Sequence, residues 1–276
     1  MKRQLSVASA MSLLLWLAVS AAAYADAPTT VSSTNRGGDS LVQQLGSGTL
    51  VLDTSKNPLH QLFSDSHLVK SVGYRRNGAC TSNSTPLRLV AGEAPVALLV
   101  VAANLRTCQQ VLEVGHLRSA PTLAGGSSAV STTAAASRLG PAVATGGTQP
   151  AHFITIWYDP ANFPVNHVED IIYWSYGGGH VSNCRGSDYR WWLSDTGWRE
   201  TAHSGPYLAY EHTSTDCRLY TSATYYNVPF CGGTGIGYNA NNVYGQSDGS
   251  AWGWVNTWAW GCRANWLWYG TYLEWG

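Results

Sequence analysis

Residues 251–262 read AWGWVNTWAWGC, and this stretch decides the fold. Its even-numbered positions carry Trp252, Trp254, Asn256, Trp258 and Trp260, while its odd-numbered positions up to 261 carry only Ala, Gly, Val or Thr. Successive side chains of a β-strand point to opposite faces. The stretch therefore predicts a strand with one face of indoles and one face of small side chains.

The indole face has two interpretations. A flat row of indoles could stack on the apolar faces of successive sugar rings, because Trp combines a large rigid surface with a polar N–H group. Alternatively, the indoles form the core, because residues 157–276 contain 14 Val, Ile and Leu against 27 aromatic residues, and so few aliphatic side chains cannot fill an interior. We favour the core. A ligand surface would then use the other aromatic side chains of this region, namely Tyr189, Trp191, Trp192, Trp198, Tyr207 and Tyr210.

The residues before this strand predict more strands. Segments rich in Tyr, Trp, Thr and Val alternate with turn-forming clusters at residues 177–179, 194–197, 214–216, 232–235 and 247–249, as in consecutive hairpins. No segment shows a convincing apolar period of 3.6 residues, which a helix would require. We therefore predict an all-β fold, an antiparallel meander or a small β-sandwich stapled by disulfides.

The beginning of the chain predicts export. Lys2 and Arg3 precede an apolar run, and Ala23-Tyr24-Ala25 forms a small-x-small cleavage site, so residues 1–25 are typical of a secretory signal peptide. The apolar run is shorter than the roughly 20 residues that span a bilayer. We expect a secreted, extracellular protein without a membrane span in its mature form.

Composition divides the rest of the chain into three parts. Residues 119–150 are rich in Ala, Ser, Thr and Gly and predict a flexible linker. Residues 26–118 are predicted to form a small, mainly β N-terminal region. Residues 151–276 form an aromatic-rich β domain, because they hold every Trp outside the signal peptide. Since residues 157–276 have 10 acidic side chains, 5 Arg and no Lys, we expect no binding of nucleic acid.

The six cysteines are expected to form disulfides, because their number is even and the predicted compartment is oxidising. If the linker separates two domains, Cys80 must pair with Cys108. For the other four we favour Cys184–Cys217 and Cys231–Cys262, since each pair could join consecutive strands. No C-x-x-C spacing indicates a zinc ribbon or a redox motif.

No pattern of chemically active side chains predicts catalysis. Glycosidases need two facing carboxyl groups, whereas Glu169 and Asp170 are adjacent and would point to opposite faces of a strand. A partner at Asp188, Glu200 or Glu211 is possible, but the spacing does not indicate one.

Metal and cofactor sites are not predicted either. A zinc site from His167, His180, His203 and His212 would need four separate segments to converge, and the H-E-x-x-H spacing is absent. We therefore predict no catalytic residue, no metal site and no cofactor.

Several short segments carry a family resemblance. They are residues 157–159 (WYD), a Tyr-Trp strand before Cys184, residues 227–231 (NVPFC), and residues 243–262 with VYG, Asp248-Gly249 and Gly261-Cys262. On these segments the second part of the chain resembles a group of uncharacterised secreted bacterial proteins with a Trp/Tyr-rich, disulfide-containing C-terminal domain. The resemblance implies export and a modular layout, and it implies no specific activity.

The sequence thus favours a secreted, non-catalytic binding protein. Its aromatic-rich domain would recognise carbohydrate or another component of an extracellular surface, because charged residues make up only 12% of the chain against about 25% in average proteins. An extracellular hydrolase acting on a polymer and a secreted inhibitor or toxin-like effector are the alternatives.

Overall fold

The fold is given by a computed structural model, which describes residues 41, 43–76, 79–121, 129–132, 150–211 and 215–276. A short helix, α1 (Pro58–Leu62), begins at Asn57, whose side chain accepts a hydrogen bond from the Leu59 backbone N–H at 2.8 Å. The other elements are mainly strands: β1 (Thr49–Val51), β2 (His67–Val72), β3 (Tyr74–Arg76), β4 (Ala79–Asn83), β5 (Leu87–Leu89), β6 (Val96–Asn104), β7 (Gln109–His116), β8 (Ala129–Thr132), β9 (Ala151–Tyr158), β10 (Pro164–Gly177), β11 (His180–Trp192), β12 (Trp198–Glu211), β13 (Asp216–Asn227), β14 (Thr234–Gln246), β15 (Ala251–Gly261) and β16 (Trp268–Trp275).

These strands form two antiparallel sheets. The nine-stranded sheet has the order β2-β7-β6-β16-β9-β10-β11-β8, with β1 also paired to β6. The seven-stranded sheet has the order β12-β13-β14-β15-β4-β3, with β5 also paired to β15. Buried side chains from both sheets form one core cluster. The predicted all-β fold is confirmed, and β12 to β15 form the expected meander.

The two predicted domains share both sheets, which differs from the sequence prediction. β16 pairs on one side with β6 from the N-terminal region and on the other with β9. β15 likewise pairs with β4 and β5. Strands from both predicted domains are therefore neighbours within the same two sheets. Most of the predicted linker lies outside the described residues, although Ala129–Thr132 pairs with β11.

Three disulfides connect the strands in the pairs favoured from the sequence. Cys184–Cys217 joins β11 to β13 and therefore links the two sheets. Cys80–Cys108 joins β4 to the turn after β6 and also links the sheets. Cys231–Cys262 joins the loop after β13 to the end of β15. Three disulfides are typical of an oxidising environment of the extracellular kind.

No helix among the residues that the structure describes is long and apolar enough to cross a membrane. The predicted signal peptide, residues 1–25, lies outside those residues.

β15 has the predicted alternation, but its core face is the one with small side chains. Ala251, Val255 and Thr257 are fully buried. Gly253 lies so close to β9 that an added Cβ would be 2.3 Å from the Phe153 ring, and Trp157 of β9 donates its indole N–H to Thr257 Oγ1 at 3.0 Å. The core interpretation of the Trp face is therefore wrong, because the small side chains are the ones that allow the second sheet to approach.

Candidate functional site

The four Trp side chains of β15 lie on the outer face of the seven-stranded sheet. Trp252, Trp254, Trp258 and Trp260 are all half-buried, and none belongs to the core cluster. Because cross-strand partners share a face of the sheet, the outward residues of β14 and β13 lie beside them. We call this surface the outer aromatic face.

Two of these indoles form a flat surface that we call the indole platform. Trp258 pairs in register with Gly237 of β14, and Trp260 pairs with Gly235. A Cβ added to Gly237 would lie 2.3 Å from Trp258 Cζ2, and one added to Gly235 would lie 2.1 Å from Trp260 Cε2. Each indole therefore lies across the neighbouring strand, in space that only glycine leaves free.

The two rings of the indole platform form one continuous surface. Their centroids are 5.8 Å apart and their planes differ by 26°. Since one side of each ring rests on a glycine of β14, the opposite side faces away from the sheet. This arrangement presents two adjacent aromatic faces to a ligand.

A row of amide side chains crosses the outer aromatic face beside the platform. Asn256 lies on β15 two residues before Trp258 and shares its face. The Asn256 amide N–H group donates to Asn83 Oδ1 of β4, and Asn239 of β14 donates to Asn256 Oδ1 at 2.5 Å. Asn83 is exposed and Asn239 is half-buried. This amide row offers donors and acceptors next to the stacking surface.

Trp252 is arranged differently from the platform indoles. It stacks on Tyr244 of β14, with ring centroids 3.8 Å apart and planes that differ by 10°. One ring face of Trp252 is therefore already covered within the protein. Arg218 of β13 lies over the same Tyr244 ring at 5.7 Å and donates through Nε to Asn242 Oδ1 at 2.9 Å. This end of the face is a packed aromatic and arginine cluster, whereas the platform presents free ring faces.

The described register partners of the platform indoles carry no charge. Trp258 pairs in register with Gly237 and with Thr81, and Trp260 pairs with Gly235. On β13 the corresponding partner of Gly237 is Thr224, and that of Gly235 is a tyrosine. Hydroxyl, amide and aromatic groups surround the platform, so its chemistry suits a neutral polar ligand with apolar faces.

The ligand residues expected from the sequence do not form a common surface. Trp191 and Trp198 are 5% and 3% exposed, so neither can stack on a ligand. Trp192 is half-buried and packs against the Tyr225 ring. A ligand role for these three Trp stays a prediction, and the burial of Trp191 and Trp198 gives it no support.

The three Tyr candidates are also dispersed. Tyr189 is half-buried beside His167 on β10, with ring centroids 5.1 Å apart. Tyr207 is 48% exposed and packs against Tyr220 on the outer aromatic face. The side chain of Tyr210 lies outside the described part of the chain. Tyr207 is thus the one candidate that the structure places on the same surface as the platform.

The carboxyl groups considered for hydrolysis lie in the interior rather than in a cleft. Asp170 and Asp188 pair in register on β10 and β11, and both are essentially buried. Asp188 Oδ2 accepts from Arg190 Nε at 2.7 Å and contacts His203 Nε2 at 3.1 Å. Arg190 also pairs with Glu200. These contacts are a buried ion-pair network, and they leave Asp188 without the open position that a substrate would need.

Asp170 is a buried acid. Its Oδ2 accepts from the Asn241 amide of β14 at 3.3 Å. Burial is the main cause that raises the pKa of Asp170 well above its usual value. A hydrogen bond from Thr221 lowers this pKa, and the Asp188 charge raises it. Asp170 therefore keeps its proton to a higher pH than an exposed aspartate does, and it forms part of the polar interior between the sheets.

No cluster of three or more His, Cys, Asp or Glu side chains that could hold a metal ion occurs in the described ranges. His212 lies outside them. His167 is 5% exposed, and burial lowers the pKa of its imidazole to about 4, although the Glu169 charge raises it slightly. The imidazole is therefore neutral and packs between Tyr189 and Trp191.

A cavity of about 190 Å³ opens at one end of the sandwich. Val165, Trp198 and Phe230 are among the side chains that line it, and Asp170 and Asp188 are not. Its Asp159 carboxylate accepts backbone N–H groups from its own loop, including that of Phe163 at 2.9 Å. The cavity is mostly apolar and has no connection with the carboxyl pair.

Comparisons with protein-family models, with curated proteins and with solved structures give no match to this chain.

Proposed function

We propose that the protein binds neutral carbohydrate through the indole platform. The observation that carries the proposal is the pair of indoles, Trp258 and Trp260, that lie flat over Gly237 and Gly235 with one ring face turned outward. A sugar ring has a C–H-rich face that stacks on an indole, and stacking on a preformed rigid surface loses little conformational entropy.

The surroundings of the platform support a sugar rather than an apolar peptide as the ligand. The amide row of Asn239, Asn256 and Asn83 lies beside Trp258, where it can exchange hydrogen bonds with sugar hydroxyls. A purely apolar ligand would exclude water from this polar row without offering it any hydrogen bond, which is costly. The lack of charged register partners favours a neutral sugar over a polyanion.

Export remains part of the proposal. The signal-peptide pattern of residues 1–25 and the three disulfides support a protein that acts outside the cell, where polysaccharides are accessible. The resemblance to secreted bacterial proteins stays a prediction. So do the hydrolase and the inhibitor alternatives, and the buried positions of Asp170 and Asp188 give no support to hydrolysis.

The proposal can be tested with the disulfide-bonded protein and a panel of polysaccharides. The panel should contain neutral β-glucan, chitin, mannan and xylan, with polygalacturonate as the anionic comparison. We expect at least one neutral polymer to retain the protein and to change its Trp fluorescence. The variant Trp258→Ala should bind about tenfold more weakly, which corresponds to roughly 1.4 kcal/mol.

Phe163→Ala is the matched control, because Phe163 is a 63% exposed aromatic residue in the loop between β9 and β10 of the other sheet. This variant should bind like the wild type. If no neutral polymer binds, or if Phe163→Ala weakens binding as much as Trp258→Ala, the proposed site is wrong.

A further inference from the structure

We infer that the site binds an internal stretch of a linear polysaccharide chain that lies along β15, rather than a chain end or a single sugar. This inference rests on the proposed function and adds the form of the ligand and its direction on the protein. It follows from the order of the outward side chains on one strand: Trp254, Asn256, Trp258 and Trp260.

The indole platform itself sets the direction. Trp258 and Trp260 are two residues apart on β15, so the line between their ring centroids, 5.8 Å long, follows the strand. That spacing is comparable with the repeat of one unit in an extended polysaccharide. Two successive units of a chain parallel to β15 can therefore stack on the two rings in turn.

The same line continues past the platform. Asn256 follows towards the start of β15, and the amide row that it forms with Asn83 and Asn239 crosses the line from β4 to β14. Trp254 comes next on the same face and is half-buried. Its register partner on β14 is Asn242, not glycine, so Trp254 has a different neighbour from the platform indoles.

The length of this row predicts the length of the ligand. Trp254 and Trp260 are six residues apart, which corresponds to about 20 Å along a strand. If one sugar unit occupies each 5.8 Å, a chain needs about four units to reach from Trp260 to Trp254.

The shape of the surface argues against recognition of a chain end. A site for a terminal sugar encloses its ligand on several sides in a concave pocket. The platform is the outer face of a sheet, and its two ring faces are presented side by side. An open surface of this kind lets a chain continue beyond the contacted units.

The test is a length series measured on the full chain by isothermal calorimetry. The probes are β-1,4-linked glucose and β-1,4-linked N-acetylglucosamine oligomers of two to six units. We expect the affinity for one of these series to rise about tenfold or more between two and four units and then to level off. An affinity that does not change with oligomer length would overturn the inference and leave the proposed function intact. The absence of binding at every length would contradict the proposed function for these sugars.

Two further measurements assign the length dependence to Trp254. Trp254→Ala should remove the gain between two and four units, and Trp258→Ala should weaken binding at every length. In 5-fluorotryptophan-labelled wild-type protein, six units should shift the Trp254 fluorine resonance and two units should not. This second readout does not depend on the stability of a variant, and equal shifts from both oligomers would refute the proposed direction.

Discussion

Asp170 should make the stability of this protein fall as the pH rises, and replacing it by Asn should remove that effect. Asp170 is fully buried, and its oxygen accepts from Asn241 at 3.3 Å. Burial raises the pKa of this carboxyl well above its ordinary value of 3.8. The folded protein therefore keeps a proton that the unfolded chain releases above about pH 4.

The sign and the size follow from this difference in bound protons. Where the folded state holds one proton more than the unfolded state, the free energy of unfolding decreases by about 1.4 kcal/mol for each pH unit. Asn has nearly the shape of protonated Asp and cannot ionise. The stability of Asp170→Asn relative to the wild type should therefore rise by up to about 3 kcal/mol between pH 5 and pH 7.

The assay is urea unfolding followed by Trp fluorescence from pH 4 to pH 8, with the disulfides intact. Asp195→Asn is the control, because Asp195 is exposed in the turn after β11. The pH dependence of Asp195→Asn should run parallel to that of the wild type. If the curve of Asp170→Asn is also parallel to the wild type, Asp170 ionises at its ordinary pKa and our account of the interior is wrong.

Three other changes test the packing. His167 has a pKa of about 4 in the folded state and 6.5 in the unfolded state. The free energy of unfolding should therefore drop by roughly 3 kcal/mol as the pH falls from 6.5 to 4. His167→Phe should reduce this loss in acid-unfolding curves. Gly253→Ala places a methyl group 2.3 Å from the Phe153 ring. It should lower the free energy of unfolding in urea by about 1–3 kcal/mol. An unchanged midpoint of the urea transition would show that the sheets can separate. Replacing both Cys184 and Cys217 by Ser opens a link with a sequence separation of 33 and should cost about 3–4 kcal/mol, measured under non-reducing conditions.

The alternation of β15 predicts the strand, but it does not predict which face points inward. The core interpretation counted only the aliphatic side chains of residues 157–276, which are too few to fill an interior. In the structure the missing volume comes partly from aromatic side chains of other strands, such as Tyr225 and Trp268, and partly from leucines of the N-terminal region, such as Leu98 and Leu99. Because these side chains fill the interior, the indoles of β15 can lie outside it.

The indole platform depends on cross-strand register, which the sequence does not display. Gly235 belongs to the predicted turn cluster at residues 232–235, and no pattern in the sequence marks Gly237. They lie under Trp260 and Trp258 because of the loop between β14 and β15 and a register shift between Tyr238 and residue 240. A shift of one residue would turn a strand's side chains to the opposite face, so the platform could not be located from composition or spacing.

The position of β16 has a consequence for how the protein is made. β16 follows every other strand in the chain, yet it lies in the interior of the nine-stranded sheet, between β6 and β9. During synthesis, β16 is translated more than a hundred residues after the start of β9. Until then, β6 and β9 lack the strand that lies between them. Pairing of strands that are so distant in sequence is slow. A chain that stays unfolded until late in its synthesis can still pass through an export channel.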